Sequence, residues 1–180
     1  MRSFVASAFF LSLPAIAADP AAIEEIRSTY QLAVERSKQE PDEWQVIVTR
    51  RIVPGVGEQT KKLEFFTRET DDGARRILER VVLSWKVGPL PMKTEMLFID
   101  GALAFAHLVE TSGTCHGSET RLYFERATLI RARTSPETDC SSPVGAQRDS
   151  NFTQAYRDLA RSVQAEALER LAWWKRLEAL

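Results

Sequence analysis

The chain has 180 residues, with 24 Lys+Arg against 25 Asp+Glu, two His and two Cys. A net charge of −1 gives no general attraction to nucleic acid or anionic lipid. An apolar share of 44% with 8 Gly and 8 Pro excludes a collagen-like or wholly disordered chain. Two Cys cannot form a disulfide-dense scaffold or a four-thiolate zinc site.

The first residues read as an address. Met1-Arg2 is a short positive start, and Phe4 to Ile16 is an apolar stretch. Ala15-Ile16-Ala17 is a small-x-small cleavage pattern. Together these predict a signal peptide over 1–17 and a single domain over 18–180, periplasmic or secreted. The apolar run is shorter than the roughly 20 residues a membrane span needs, and no later segment reaches that length. Loss of Arg2 takes the 24 basic residues to 23, so the mature balance against 25 acidic residues is −2.

Asp19 is placed as an N-cap and Pro20 suits the first helical position. Ile23, Ile26, Tyr30 and Ala33 or Val34 follow at helical spacing, and Pro41 stops the helix by about Glu40. From Glu43 the period changes to two. Trp44, Val46 and Val48 alternate with Gln45, Ile47 and Thr49, up to the turn at Pro54 and Gly55. Leu63, Phe65 and Thr67 face away from Lys62, Glu64 and Phe66. A strand over 77–87 follows, then Thr94, Met96 and Phe98. Asp100-Gly101 is a two-residue hairpin signal, because Gly accepts the positive φ of such turns. Leu103, Phe105, His107 and Val109 continue on one expected face. Strands over 121–125 and 129–134 close the series. Short connections force antiparallel pairing, since parallel strands need long crossovers.

The segment from Ser135 to Ser150 reads as a loop, followed by a helix from about Asn151 to Leu180. Phe152, Tyr156, Val163, Ala167, Leu171 and Trp174 form its apolar stripe, which Arg170 interrupts. Glu166 precedes Arg170 by four residues, the favourable order for an ion pair. The expected fold is α+β: a six- to seven-stranded antiparallel meander flanked by an N-terminal and a long C-terminal helix.

The order IRSTY, hairpins, ETRLYFERATLIRAR and a charged terminal helix resembles a group of secreted bacterial proteins of uncharacterised role. Those carry IR-x-x-Y in the first helix and YYF-[DN]-[GN]-x-LIRW hairpins. Here Glu125-Arg126-Ala127 replaces their Gly/Asn turn. The resemblance implies a helix–sheet–helix fold and brings no catalytic residues. Half-barrel lipoprotein carriers, which also begin with a helix and include a D-G hairpin, are a weaker analogy at the level of fold.

In an exported chain Cys115 and Cys140 are expected to pair. Closing about 25 residues is worth roughly 3 kcal/mol in the chain-entropy model. His107 reads as a core or edge-facing histidine on a strand, and His116 as a solvated loop residue. Either suits a general base, but no nucleophile motif such as G-x-S-x-G stands beside them. No motif for a metal or cofactor is present. Arginines are frequent on the strands, among them Arg50, Arg121 and Arg131, interleaved with Glu and Thr. They fit a solvated sheet face with cross-strand ion pairs, or an anion- or partner-binding face. Trp173 fits a half-covered packing residue or a partner anchor.

Two classes of function fit these residues. One is a non-enzymatic binding or interaction module of the bacterial envelope, taking an envelope protein or a small ligand, with a carrier of an apolar ligand in a concave sheet as its variant. The other is an envelope hydrolase with a His base.

Overall fold

A computed structural model describes residues 19–39, 44–55, 57–70, 73–87, 90–110, 117–135, 148–149 and 153–179. The address at 1–17 and the Cys115–Cys140 pair lie outside these residues, as does His116. Helix α1 spans Pro20–Gln39. Its start follows the N-cap expectation: the Ala21 amide donates to Asp19 Oδ1 at 2.9 Å. Ile23, Ile26 and Ala33 are its buried residues.

Eight strands follow in chain order: β1 Trp44–Val53, β2 Gly57–Glu69, β3 Arg76–Val87, β4 Leu90–Ile99, β5 Ala102–Glu110, β6 Glu119–Glu125, β7 Thr128–Ser135 and β8 Arg148–Asp149. They form one antiparallel meander in which spatial order equals chain order. Seven are long, as the alternation predicts. The two-residue β8 on β7 falls in a segment read as loop. Two hairpins turn on consecutive residues with positive φ. Asp100 (52°) and Gly101 (74°) join β4 to β5, and Arg126 (47°) and Ala127 (64°) join β6 to β7. The second turn forms without Gly or Asn, so it carries backbone strain that the first avoids.

Helix α2 spans Gln154–Glu178 and starts three residues later than its periodicity suggests, because Thr153 is extended (φ −68°, ψ 160°). The expected ion pair forms, with Arg170 Nη2 donating to Glu166 Oε1 at 2.9 Å.

The helices take opposite faces of the sheet, which the sequence left open. Ala160, Val163, Ala167 and Trp174 of α2 pack on Phe65, Val81, Met96, Ala106, Leu122 and their neighbours. That face is almost wholly apolar and holds the main core. Ile23, Ile26 and Ala33 of α1 pack on a smaller cluster of Leu97, Ala104, Phe105 and Tyr123. Both helices cross the strands in the same sense. Arg27 of α1 meets Tyr123 on β6, and Arg36 meets Glu79 on β3. Tyr156 of α2 bonds Thr134 on β7, and Trp174 meets Phe65 on β2.

Three register shifts tie the two faces together. They fall where β2 meets β3, β4 meets β5, and β6 meets β7. Each leaves one extra residue: Glu79, Ala104 and Ile130. A bulge sends two consecutive side chains to the same face and bends its strand. Thus Glu79 and Arg80 both face α1, as do Ala104 and Phe105. The expected shared face of Leu103 with Phe105 is corrected here. Leu103 packs in the α2 core, and the bulge at Ala104 turns Phe105 to α1. On β1, Val46 and Val48 lie on the α1 face beyond the helix and are exposed, while Ile47 packs against the α2 core.

Candidate functional site

The α1 face is read most simply as rows of side chains across the strands. Register places Phe66, Arg80, Leu97, Phe105, Tyr123 and Arg131 in the row beneath α1. The next row holds Glu64, Val82, Glu95, His107, Arg121 and Arg133. A third row, Val48, Lys62, Ser84, Lys93, Val109 and Glu119, lies further from the helix.

Ionic contacts hold α1 to this surface as much as apolar ones. Glu95 is the hub. It accepts from Tyr30 Oη at 2.8 Å and from Arg80 Nη1 at 2.8 Å, and its other oxygen lies 2.6 Å from Lys93 Nζ. The Arg80 and Glu95 side chains are each only 8% exposed. Arg80 also donates to Ser37 Oγ at 2.6 Å and lies over the Phe66 ring at 4.2 Å. The bulged Glu79 accepts from Arg36 Nη1 at 2.7 Å, with Arg68 Nε at 3.7 Å. Burial alone would raise the pKa of Glu95. The hydrogen bonds from Lys93 and Tyr30 and the charges of Lys93 and Arg80 outweigh it, so it settles below the ordinary 4.5. Burial, and then the Glu95 charge, push the Tyr30 phenol far up, so it stays a neutral donor.

Beside this hub, α1 and strands β5 and β6 enclose a cleft of about 250 Å³. Arg27, Tyr30 and Gln31 come from the helix. Phe105 and His107 come from β5, and Arg121 and Tyr123 from β6. The aromatic rings pack on one another: Tyr30 and Phe105 are 4.8 Å apart between centroids, and Phe105 and Tyr123 are 5.0 Å apart. Arg27 Nε donates to Tyr123 Oη at 3.3 Å, and its guanidinium sits 5.7 Å from that ring's centroid. Arg121 Nη2 donates to Glu119 Oε2 at 3.0 Å. Each guanidinium has five N–H donors, and these contacts use only part of them.

His107 Nε2 is buried and lies 3.5 Å from Glu119 Oε2, too long for a sound hydrogen bond. Burial lowers its pKa below 6.5, and Arg121 lowers it further against the opposing pull of Glu119 and Glu95. The imidazole is therefore neutral at neutral pH.

Two larger depressions flank the domain. One, of about 560 Å³, lies on the third row beside α1 and is lined by Lys62, Ser84, Lys93 and Val109 among others. The other, of about 520 Å³, lies at the C-terminal end of α2 between Trp174, Lys175, Arg68 and Arg76.

Of the residues marked from sequence, the fold joins His107 and Arg121 as cross-strand partners in the cleft wall. Arg131 is the strand partner of Tyr123, one row away on the same face. Arg50 lies on the α1 face of edge strand β1, far from the cleft. Trp173 belongs to the opposite side: it is half-buried against the α2 core, with the Arg170 guanidinium 5.8 Å from its ring. Glu95 was not singled out from sequence. Arg27 and Tyr30 were visible as the fixed letters of the IR-x-x-Y motif, and Tyr123 within the hairpin motif, none of them with a role in a site. The adjacent charges Glu79-Arg80 inside an apolar strand were the available sign of a bulge. Among the described residues no group of His, Cys, Asp and Glu is placed to hold a metal ion, and no helix is long and apolar enough to cross a membrane. No protein-family model, curated protein or solved structure matches the chain.

Proposed function

We propose that the chain is an exported, non-enzymatic binding module whose α1-side cleft takes a small carboxylic acid with a planar apolar body. Export rests on the address at 1–17. One observation carries the ligand class: two guanidinium groups, from Arg27 and Arg121, converge on a small cleft whose other walls are the rings of Tyr30, Phe105, His107 and Tyr123. Arginine donors match a carboxylate in the plane of the fork, and aromatic walls suit a flat apolar body. The neutral His107 contributes a ring face and no charge, which leaves the carboxylate to the two arginines. A volume of about 250 Å³ falls below the 300–1,000 Å³ typical of drug-sized ligands, which selects a small one.

Calorimetric titration of the folded protein with benzoate, cyclohexanecarboxylate and benzamide tests this. Benzoate should bind, the non-planar cyclohexanecarboxylate should bind more weakly, and the uncharged amide should not bind. Arg121→Gln should weaken benzoate about tenfold or more, the loss of a charged hydrogen bond. Equal binding of acid and amide, or an unchanged affinity in both Arg27→Gln and Arg121→Gln, would refute the assignment.

One observation favours the hydrolase class: a neutral imidazole beside a carboxylate in a cleft wall is a competent general base. Among the described residues the cleft lining contains no Ser, Thr or Cys, so an enzyme built on them would have to activate water. Turnover of small esters that disappears in His107→Gln would favour it over the binding module.

A further inference from the structure

We infer that the end of the β1–β2 hairpin docks on an anionic lipid surface, with Ile52, Val53 and Pro54 entering the interface and a collar of cations behind them. Among the described residues five large apolar side chains are exposed, and three of them, Val46, Val48 and Ile52, lie on β1. Ile52 is the most open, at 84%. Val53, Pro54 and Gly55 follow it, so the strand runs into its turn without a charge. β1 is also the edge of the sheet, and the α1 cluster includes no residue of it.

The charges sit a step behind the apolar end. Arg50 and Arg51 precede Ile52, and Lys61 stands opposite Thr49. Trp85 pairs with Lys61, so Lys86, the next residue of β3, lies level with Thr60 and Arg50. Arg51 donates to the neutral amide oxygen of Gln59 and keeps its charge. Lys61 and Lys86 are exposed and make no ion pair among the described residues. Glu58, opposite Ile52, is the one acid from residue 50 to residue 61. The next acid at this end, Glu110, stands across the sheet on β5, and residues 87–92 carry no charge.

Depth and facing decide the partner. At about 3.4 Å per residue, Arg50 lies about 7 Å behind Ile52 along the strand. Apolar side chains of surface-bound segments enter a bilayer by roughly 5–10 Å, so Ile52 reaches the acyl boundary while the cations stay among the headgroups. Arg50 and Lys86 face the α1 side of the sheet, and Arg51 and Lys61 face the α2 side. A planar anionic layer meets both sets at once, whereas a partner lying on one face meets half of them. The net charge of −1 does not oppose this contact. Charges more than about 8 Å from the layer are largely screened at physiological salt.

Flotation with vesicles of phosphatidylcholine and phosphatidylglycerol, against vesicles of phosphatidylcholine alone, is the measurement, on the full chain. Binding to the anionic vesicles should be at least about tenfold tighter and should weaken with salt. Lys61→Gln with Lys86→Gln should lower the partition coefficient at least about tenfold. Ile52→Ser should lower it about tenfold and Ile52→Leu should retain it, both with an unchanged thermal midpoint. Leu168→Ser, at an exposed apolar residue on α2, should change nothing. Arg121→Gln should change nothing either, which separates this surface from the cleft. All these variants leave the apolar address in place, so binding that it alone supplies would be insensitive to every one of them. Any of three results overturns the inference: no preference for anionic vesicles, an unchanged partition in both Ile52→Ser and the lysine pair, or an equal loss in Leu168→Ser.

Discussion

Replacing Glu95 by Gln removes one charge from the centre of the α1 interface and leaves the side chain's size unchanged. Three donors converge on this carboxylate: Tyr30 Oη and Arg80 Nη1 at 2.8 Å each, and Lys93 Nζ at 2.6 Å. Lys93 is exposed and can return to water. Arg80 cannot, since only 8% of its side chain is accessible. Removing one partner of a buried pair costs about 3–5 kcal/mol, because it leaves the other charge buried and uncompensated. Arg80 keeps its hydrogen bond to Ser37 and its place over the Phe66 ring, so the lower end applies. Urea unfolding at pH 7 should therefore show Glu95→Gln destabilised by about 3 kcal/mol. Tyr30→Phe removes one donor and leaves the carboxylate two others, so its cost should be about 1.5 kcal/mol. The double variant should lose less than the sum, because both changes act on one hydrogen bond. The difference also carries a pH signature. The folded-state pKa of Glu95 lies below its ordinary 4.5, so its contribution is complete above that value and is lost as pH falls through the folded value. The gap between wild type and Glu95→Gln should thus narrow below pH 4.5. A cost under about 0.5 kcal/mol at pH 7, or a gap that does not narrow in acid, would refute the hub.

Two further outcomes follow from single residues. His107 has a folded-state pKa below 6.5, so the unfolded chain takes up a proton first as pH falls. Stability should decline with acidification from 6.5 downward, and urea titrations of His107→Gln should show a shallower decline over that window; matching slopes would contradict the burial of this imidazole. Ala127 sits at φ 64° in the β6–β7 turn, where a Cβ costs roughly 1–2 kcal/mol. Ala127→Gly should raise stability by about 1 kcal/mol in the same assay, and a loss would mean that the turn does not carry this strain.

The sheet was legible because its strands keep period two over long stretches, and Leu63, Phe65, Leu122 and Phe124 all point where alternation places them. The α2 stripe was legible for the same kind of reason: one apolar side, with Val163, Ala167 and Trp174 on it. The assignment of helices to faces was not, because both helices are amphipathic and period two marks a strand's two faces without saying which helix meets each. The cleft was half legible. His107 and Arg121 were marked by residue type, but their juxtaposition depends on strand register. Arg27 and Tyr30 enter only because α1 crosses β5 and β6. The charges under α1 were read as parts of a solvated face, since Arg80 and Glu95 lie fifteen positions apart and reveal their pairing only in the folded sheet.

The bulges explain why this face can carry function while the other carries stability. A regular strand through Leu78 and Val81 would put one of the intervening residues, Glu79 or Arg80, on the α2 side and bury a charge in the main core. The extra residue in β3 moves both to the α1 side, where Arg36 neutralises one and Glu95 the other. The α2 face therefore stays apolar at its centre. The α1 face collects the ionisable groups, and a helix held by ion pairs covers it only in part. Ionic docking is weaker evidence for stability than apolar packing, because much of its Coulomb gain repays desolvation. It does fix the position of α1, since each hydrogen bond is satisfied in one register. That positioning sets Arg27 opposite Arg121 across the cleft and leaves the lysine-rimmed row uncovered. On this view the α1 side is where sequence changes alter binding first, and the α2 side is where they alter folding first.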